Sequence, residues 1–345
     1  MKTKEKRITT ASQQLPAFET SRVPEHKALV RFDVLTVQWL KNVKLRIKES
    51  SYVKYYNMVQ NHIVPELGTY RMDELTTEIV EQFVQKKLTS GKRDGRGGLS
   101  EKTVKDILAI LKEICLYAAG LDVEIPCRFE LIKIRRRDLE VQVLDGQNYK
   151  ELVRFLFHDH HPRKTGILLS LYMGLRLGEV CALKRQHILY KEEILCIRST
   201  MQRIQNLEEE GKRRTKVIVT DPKSSSSVRD IPIPSFLMER LEDFRRLPED
   251  AYLLTGRTDR FIEPRTLEYT LKRYLQSCSM EYVNYHTLRH TFATRCMEEG
   301  FDAKSLSEIL GHSNVNITLN RYVHSSMEQK RKNMGRLLPY KEFAS

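Results

Sequence analysis

HTLRHTFATRCMEEGFDAKSLSEILGHSNVNITLNRY, residues 286–322, brings His286, His290, His312, Arg289 and Tyr322 into one window. The segments between these residues carry apolar side chains at helical spacing, so short helices joined by turns would fold the polar groups onto one pocket. A guanidinium holds phosphate oxygens in a bidentate fork, and an imidazole donates to a non-bridging oxygen or moves a proton. A tyrosine hydroxyl serves as a covalent nucleophile. This equipment suits transesterification at a phosphodiester.

Two plainer readings compete. A tyrosine at helical spacing is commonly a core residue, and His286 with His290, four apart, could face one metal ion. Thr287 stands where a zinc helix of the His-Glu-x-x-His kind needs its glutamate, and no third ligand is near in sequence, which argues against a metal. His290 is expected to pack or hydrogen-bond within its own helix.

Outward from this window, the chain is 345 residues long, more than one ordinary domain and suited to two. Lys and Arg number 59 against 45 Asp and Glu, a formal charge of +14 spread along the chain, which favours a polyanionic partner embraced by the whole protein. The six cysteines are widely separated and never in Cys-x-x-Cys spacing, so they read as reduced core residues. No apolar run is long enough to span a bilayer, and no hydrophobic signal region follows the basic N-terminus. These features predict a cytoplasmic protein without a membrane partner.

Residues 1–31 are polar and lack apolar periodicity, the texture of a flexible basic arm. From Phe32 the pattern becomes helical, through Leu35, Trp39, Tyr52 and Tyr55. Thr76 and Ser100 then stand as caps before two further apolar-periodic segments. Residues 32–125 are thus predicted to form a four-helix domain. Its two helix pairs are joined by Gly91-Lys92-Arg93-Asp94-Gly95-Arg96-Gly97-Gly98, a cationic loop in which Lys92, Arg93 and Arg96 could lie along a phosphate backbone or simply be solvated. A basic linker, residues 126–142, follows, with Arg135, Arg136 and Arg137 placed to touch phosphates across a groove.

The second domain is assigned to residues 143–325 and a C-terminal tail to 326–345. His158-Asp159-His160-His161-Pro162 ends the first helix of this domain and reads as a polar loop, because consecutive histidines cannot converge on one ion from a regular helix. Gly174 stops the next helix, and Arg176 then sits at a turn into another. Arg176 is either an oriented guanidinium or a surface arginine paired with Glu179 across one helical turn. Val217–Val219 and Val228–Ile233 are predicted to pair as a β-hairpin with Lys223 at its tip. There a lysine could give its proton to a leaving oxygen. The basic, mildly amphipathic tail, with Met334, Leu337, Leu338 and Phe343, suits docking on a neighbouring copy.

Taken together, Gly174-Leu-Arg176-x-Gly-Glu179, the hairpin Lys223, His286-x-x-Arg289-His290, Leu310-Gly-His312 and Arg321-Tyr322 resemble, in order, the active-site motifs of the tyrosine recombinase, or phage integrase, family. The resemblance covers the chain from about Phe32 to its end. It implies a mainly α fold with a small antiparallel β-sheet, a helical SAM-like core-binding domain followed by an α+β catalytic domain, closing as a clamp on duplex DNA. It further implies a catalytic six of Arg176, Lys223, His286, Arg289, His312 and the nucleophile Tyr322, supported by Glu179, working with no cofactor and no metal.

The implied partners are double-stranded recombination sites, a tetramer of the chain itself linked by the tail in trans, and a DNA-bending accessory or directionality factor. The role favoured is an integrase or excisionase of a phage or integrative mobile element, because the chain carries an N-terminal extension. A chromosome-dimer-resolving recombinase or a type IB topoisomerase would share the chemistry. A DNA-binding regulator would not need all six.

Overall fold

The computed structural model describes residues 30–135, 141–207, 214–222 and 224–322, with isolated positions beyond. The chain divides into two compact units at the 138/139 boundary.

The first unit is helical. In α1 (Phe32–Lys44), Phe32, Leu35, Trp39, Leu40 and Val43 recur every three or four residues and are buried, the stripe a surface helix turns to its core. Helix α2 (Glu49–Met58) continues through a π turn, Val59–Ile63, into α3 (Val64–Leu67). Pro65 has no N–H to donate back along the helix, which accounts for the irregular turn before it.

The Thr76 hydroxyl caps α4 (Thr77–Ser90) by accepting from the Ile79 N–H, and Ser100 caps α5 (Glu101–Ala119) through the Thr103 N–H. These four helical segments enclose one core, in which Trp39 stacks on Tyr55 at 6.0 Å. Lys87, buried in α4, pairs with Glu66.

The second unit begins with α6 (Gly146–Phe157), capped by Asp145, and the buried α7 (Pro162–Met173). Gly174 ends α7 in the left-handed region at φ 66°, and the short α8 (Leu177–Ala182) starts three residues later. A Cβ at Gly174 would lie 2.6 Å from Phe292 Cδ1 and 2.8 Å from Leu310 Cδ2. Backbone strain and overpacking add at this position, so Gly174→Ala is expected to cost about 2–4 kcal/mol, read as a lowered unfolding midpoint of this unit.

A three-stranded antiparallel sheet follows, in the order β1 (Ile188–Leu189), β2 (Ile194–Ile197), β5 (Arg229–Pro232). A separate two-stranded ribbon pairs β3 (Thr200–Gln205) with β4 (Thr215–Thr220), from Thr200↔Thr220 to Gln205↔Thr215.

This pairing corrects the expected hairpin. The Val217–Val219 strand pairs with β3 and the Val228–Ile233 strand with β2, where Leu195 opposes Ile231. The connection holding Lys223 therefore runs from the ribbon to the sheet and contains a 3-10 turn, Ser225–Ser227. Lys223 itself lies outside the described residues. The reason is local: Thr200–Gln205 has only Met201 and Ile204 as apolar residues, too little alternation to read as a strand.

Helices α9 (Ser235–Glu242) and α10 (Pro264–Ser277) complete the larger core, and α11 (His286–Glu298) packs against α7. Helix α11 buries Thr287, Leu288, Arg289, Thr291, Phe292, Ala293 and Cys296, most of its circumference. A smaller cluster of Phe292, Ala293, Cys296, Leu306, Leu310 and Tyr322 ties it to α12 (Ala303–Leu310) and α13 (Val315–Tyr322). The mainly α architecture with a small antiparallel sheet is thus as the sequence predicts. Among the described residues no helix is long and apolar enough to cross a membrane.

Candidate active site

Two glycine turns aim the site. Gly174 delivers the chain to Arg176, whose extended backbone opens α8. Gly311, at φ 65°, ends α12 and delivers His312. Both turns need the left-handed backbone that glycine adopts without cost.

Glu179 organises the cations. Its carboxylate accepts from the Arg176 backbone N–H at 2.9 Å and from Arg176 Nη1 at 2.7 Å, and it takes Arg229 Nη1 and Nη2 at 3.0 and 2.9 Å. Burial works against its ionisation, but Arg229 and Arg176 outweigh burial and hold its pKa at about 2. Arg229 also donates from Nε to the Ile309 carbonyl at 2.6 Å, joining β5 to the end of α12. The Arg176–Glu179 pair therefore belongs to a network anchored on a buried carboxylate rather than being an isolated surface pair.

Arg289 is 1% exposed and anchors both turns, donating from Nη1 to the Gly174 carbonyl and from Nη2 to the Leu310 carbonyl, each at 2.6 Å. These bonds use two of the five guanidinium donors. Arg176 Nη2 donates to the Gly311 carbonyl at 3.0 Å, so both guanidiniums hang from the same pair of turns. Burial first, then Arg176, brings the pKa of Arg289 down to about 9, which leaves it a cation at neutral pH.

The imidazoles are neutral. His312 shares a 2.8 Å hydrogen bond between Nδ1 and Thr318 Oγ1, and its pKa falls to about 3 through burial and then Arg289 and Arg176. His290 falls to about 4 through burial, then His286, Arg321 and Arg289. His286 keeps solvent contact and is also lowered, by desolvation first and then by Arg289, Arg321 and Arg176. Neutral imidazoles can donate one hydrogen bond and accept another.

Tyr322 closes the site from α13. It is 6% exposed, and its hydroxyl lies 2.6 Å from His290 Nδ1. The His312 ring lies nearly parallel to the phenol ring, with centroids 6.5 Å apart. Burial raises the phenol pKa against the opposing pull of Arg289 and Arg321, so the tyrosine is protonated at neutral pH.

Of the predicted residues, Arg176, Glu179, Arg289, His286, His312 and Tyr322 converge through direct contacts or shared turns. Lys92, Arg93 and Arg96 lie exposed on the first unit's loop, where Arg93 Nη1 donates to Asn61 at 2.9 Å and the Lys92 N–H to the Gly97 carbonyl at 3.0 Å. Arg135 is exposed, while Arg136 and Arg137 lie outside the described residues, as do Leu337, Leu338 and Phe343 of the tail.

Sequence reasoning missed Arg229 and the partner of His290. Arg229 sits on the buried side of β5, in register with Ile231, and a charge at an inward strand position was the available signal. His290 bonds across to α13 rather than within its own helix, and its partner is too distant in sequence to be read from spacing. Among the described residues no three His, Cys, Asp or Glu side chains gather as a metal site would need.

A buried tyrosine beside two guanidiniums and three neutral imidazoles, set in a mainly helical unit, defines a class of enzyme made for phosphodiester transesterification. Residues 142–329 match the phage integrase family and residues 32–88 the SAM-like N-terminal domain of phage integrases; the chain belongs to the phage integrase family, the tyrosine recombinases.

A tyrosine recombinase XerC-like protein of Caldanaerobacter subterraneus subsp. tengcongensis is 29% identical over 316 residues, covering 85% of this chain and 78% of that one. The XerA tyrosine recombinase of Thermococcus onnurineus is 31% identical over 173 residues, and the match spans about half of its length. Among solved structures, the Tn1549 transposon integrase in complex with a circular intermediate DNA superposes with a TM-score of 0.69 over 89% of this chain and 99% of that one. At 18% identity that likeness is one of fold.

Proposed function

We propose that this chain cuts and rejoins duplex DNA at specific sites through a 3′-phosphotyrosyl intermediate, as the integrase or excisionase of a phage or integrative element. The observation that carries the reading is the buried Tyr322 hydroxyl held against an imidazole in the same pocket as Arg176 and Arg289. In this reading the two guanidiniums hold the non-bridging oxygens of the scissile phosphate and stabilise the charge of the pentavalent transition state. His312 and His286 add hydrogen bonds or move protons there. Tyr322 attacks phosphorus, the 5′ oxygen departs, and Lys223 protonates it.

The link to tyrosine conserves the phosphodiester, so a 5′-hydroxyl from a second duplex reverses the step without ATP or metal. Joining two duplexes calls for four active chains, and we assign the tail, residues 326–345, to linking them in trans. Residues 32–125 would hold the core site, with Lys92, Arg93, Arg96 and Arg135–Arg137 on phosphates, and residues 143–325 would carry the chemistry. Acting on chromosomal DNA, the enzyme would work in the cytoplasm. An accessory DNA-bending or directionality factor fits this role.

The test is a nicked duplex carrying a candidate element end, incubated with the full chain in EDTA and then denatured. A protein–DNA band that survives denaturation is the expected result, and its protease-trimmed peptide should map to Tyr322. Tight binding with no band on any element end would favour a regulator, and cleavage that returns only with added metal would overturn the mechanism.

A further inference from the structure

The hydrogen bond of the phenol points to a proton acceptor outside the family-like six. On the reading that Tyr322 is the nucleophile, we propose that His290 is the general base that takes its proton, leaving His286 to serve the phosphate. The Tyr322 Oη and His290 Nδ1 stand 2.6 Å apart, within proton-transfer reach. The ring of His286 meets His290 edge to face, with centroids 4.5 Å apart and planes at 88°, while the phenol's hydrogen bond goes to His290.

Position and charge agree with that role. His290 lies one helical turn beyond His286 on α11, and α13 brings Tyr322 to it across the small apolar cluster. The charged and titratable groups facing it are His286 and Arg289 from α11, and Arg321 and Tyr322 from α13. Burial, with His286, Arg321 and Arg289, keeps the ring unprotonated at neutral pH, the form a base must have. Accepting at Nδ1 requires the tautomer with its hydrogen on Nε2. The Arg321 guanidinium also draws the phenol pKa down and favours the phenolate as it forms.

The atoms balance as follows. The Tyr322 Oη–H proton passes to His290 Nδ1 while an oxygen lone pair forms the O–P bond. The P–O5′ bond breaks, and its electrons leave with the 5′ oxygen, which takes a proton from the general acid. The incoming phosphodiester sets a negative charge among the guanidiniums, offsetting the repulsion that the new imidazolium would feel. On rejoining, the imidazolium returns its proton to the tyrosine oxygen as the P–O bond to tyrosine breaks.

The test is single-turnover cleavage of the nicked duplex by the full chain, comparing wild type with His290→Ala and His290→Asn across pH, with folding checked by circular dichroism. Asn keeps a hydrogen-bond acceptor but cannot take a proton. Both variants should lose about 10²- to 10⁴-fold in rate at neutral pH. Their rates should climb about tenfold per pH unit toward alkaline pH, as the phenol ionises unaided. Replacing Tyr322 by a fluorinated tyrosine that ionises near neutral pH should restore the His290 variants and not a His286→Ala chain.

Wild-type speed in His290→Asn would reduce the contact to positioning and overturn the proposal. A pH-independent loss that the fluorinated residue does not restore would also overturn it. A wild-type chain that forms no adduct on any duplex fails at the earlier step, and the reading of Tyr322 as nucleophile falls first.

Discussion

Tyr322→Phe is expected to abolish the covalent protein–DNA product while leaving fold and DNA affinity in place. The substitution removes one oxygen from a ring that is already packed. Phe292, Cys296, Leu306 and Leu310 hold that ring in its cluster and would hold a phenylalanine ring as well. The hydroxyl lost is the group that bonds His290, so the structural change is confined to one hydrogen bond, worth about 1 kcal/mol. Among the described site residues nothing else replaces it for the chemistry: the rest are guanidiniums, imidazoles, the Glu179 carboxylate held by two arginines and the Thr318 hydroxyl bonded to His312. Gel-shift affinity and circular dichroism equal to wild type, with no adduct on a nicked substrate, is the outcome that fits. A regulator would keep its full activity in the variant, and an adduct of undiminished yield would place the nucleophile elsewhere.

Glu179→Ala is expected to be the most destabilising single change in the site. The carboxylate is 2% exposed and ties Arg176 to Arg229, which is itself 8% exposed. Removing it strands a buried guanidinium without its anion, and breaking a buried pair in this way costs about 3–5 kcal/mol. Arg176 would lose both its backbone and its side-chain anchor at the start of α8, so activity should fall with stability.

Denaturant unfolding of the full chain separates the effects. Trp39, the single tryptophan, sits in the first unit, so its fluorescence transition should stay put while circular dichroism records an earlier transition of the second unit. In wild type the carboxylate pKa is lowered from 4.5 to about 2, so its contribution is full above about pH 4.5 and is lost as pH falls toward 2. The alanine variant should lack that acid-sensitive part of the profile. An unchanged midpoint for the second unit would show that Arg229 finds solvent or another partner.

Where local chemistry decides structure, the reading from sequence succeeded. Thr76 and Ser100 cap helices because a side-chain oxygen reaches a neighbouring N–H, a matter of three residues. Gly174 ends α7 because it alone tolerates the left-handed turn there. The family resemblance pointed to Arg176, Glu179, His286, Arg289, His312 and Tyr322, which the fold brings together.

It failed where the partner carries no local signal. β4 chose β3 over β5, a decision made by pairing along a whole ribbon rather than by the turn residues near Lys223. Arg229 reads as one more basic residue in a strand until Glu179, fifty positions earlier, meets it.

The amino-acid sequence by itself determined the helical periodicities, the caps and turns, the net charge of +14 and the set of residue types able to act on a phosphodiester. All of these depend on contacts within one or two helical turns or on simple composition. Only the tertiary structure decided that Arg289 hangs from the Gly174 and Leu310 carbonyls, that Glu179 serves two arginines, and that the Tyr322 hydroxyl faces His290. Those bonds join α7, α8, β5, α11, α12 and α13, and their geometry exists only once the apolar faces of these elements have packed.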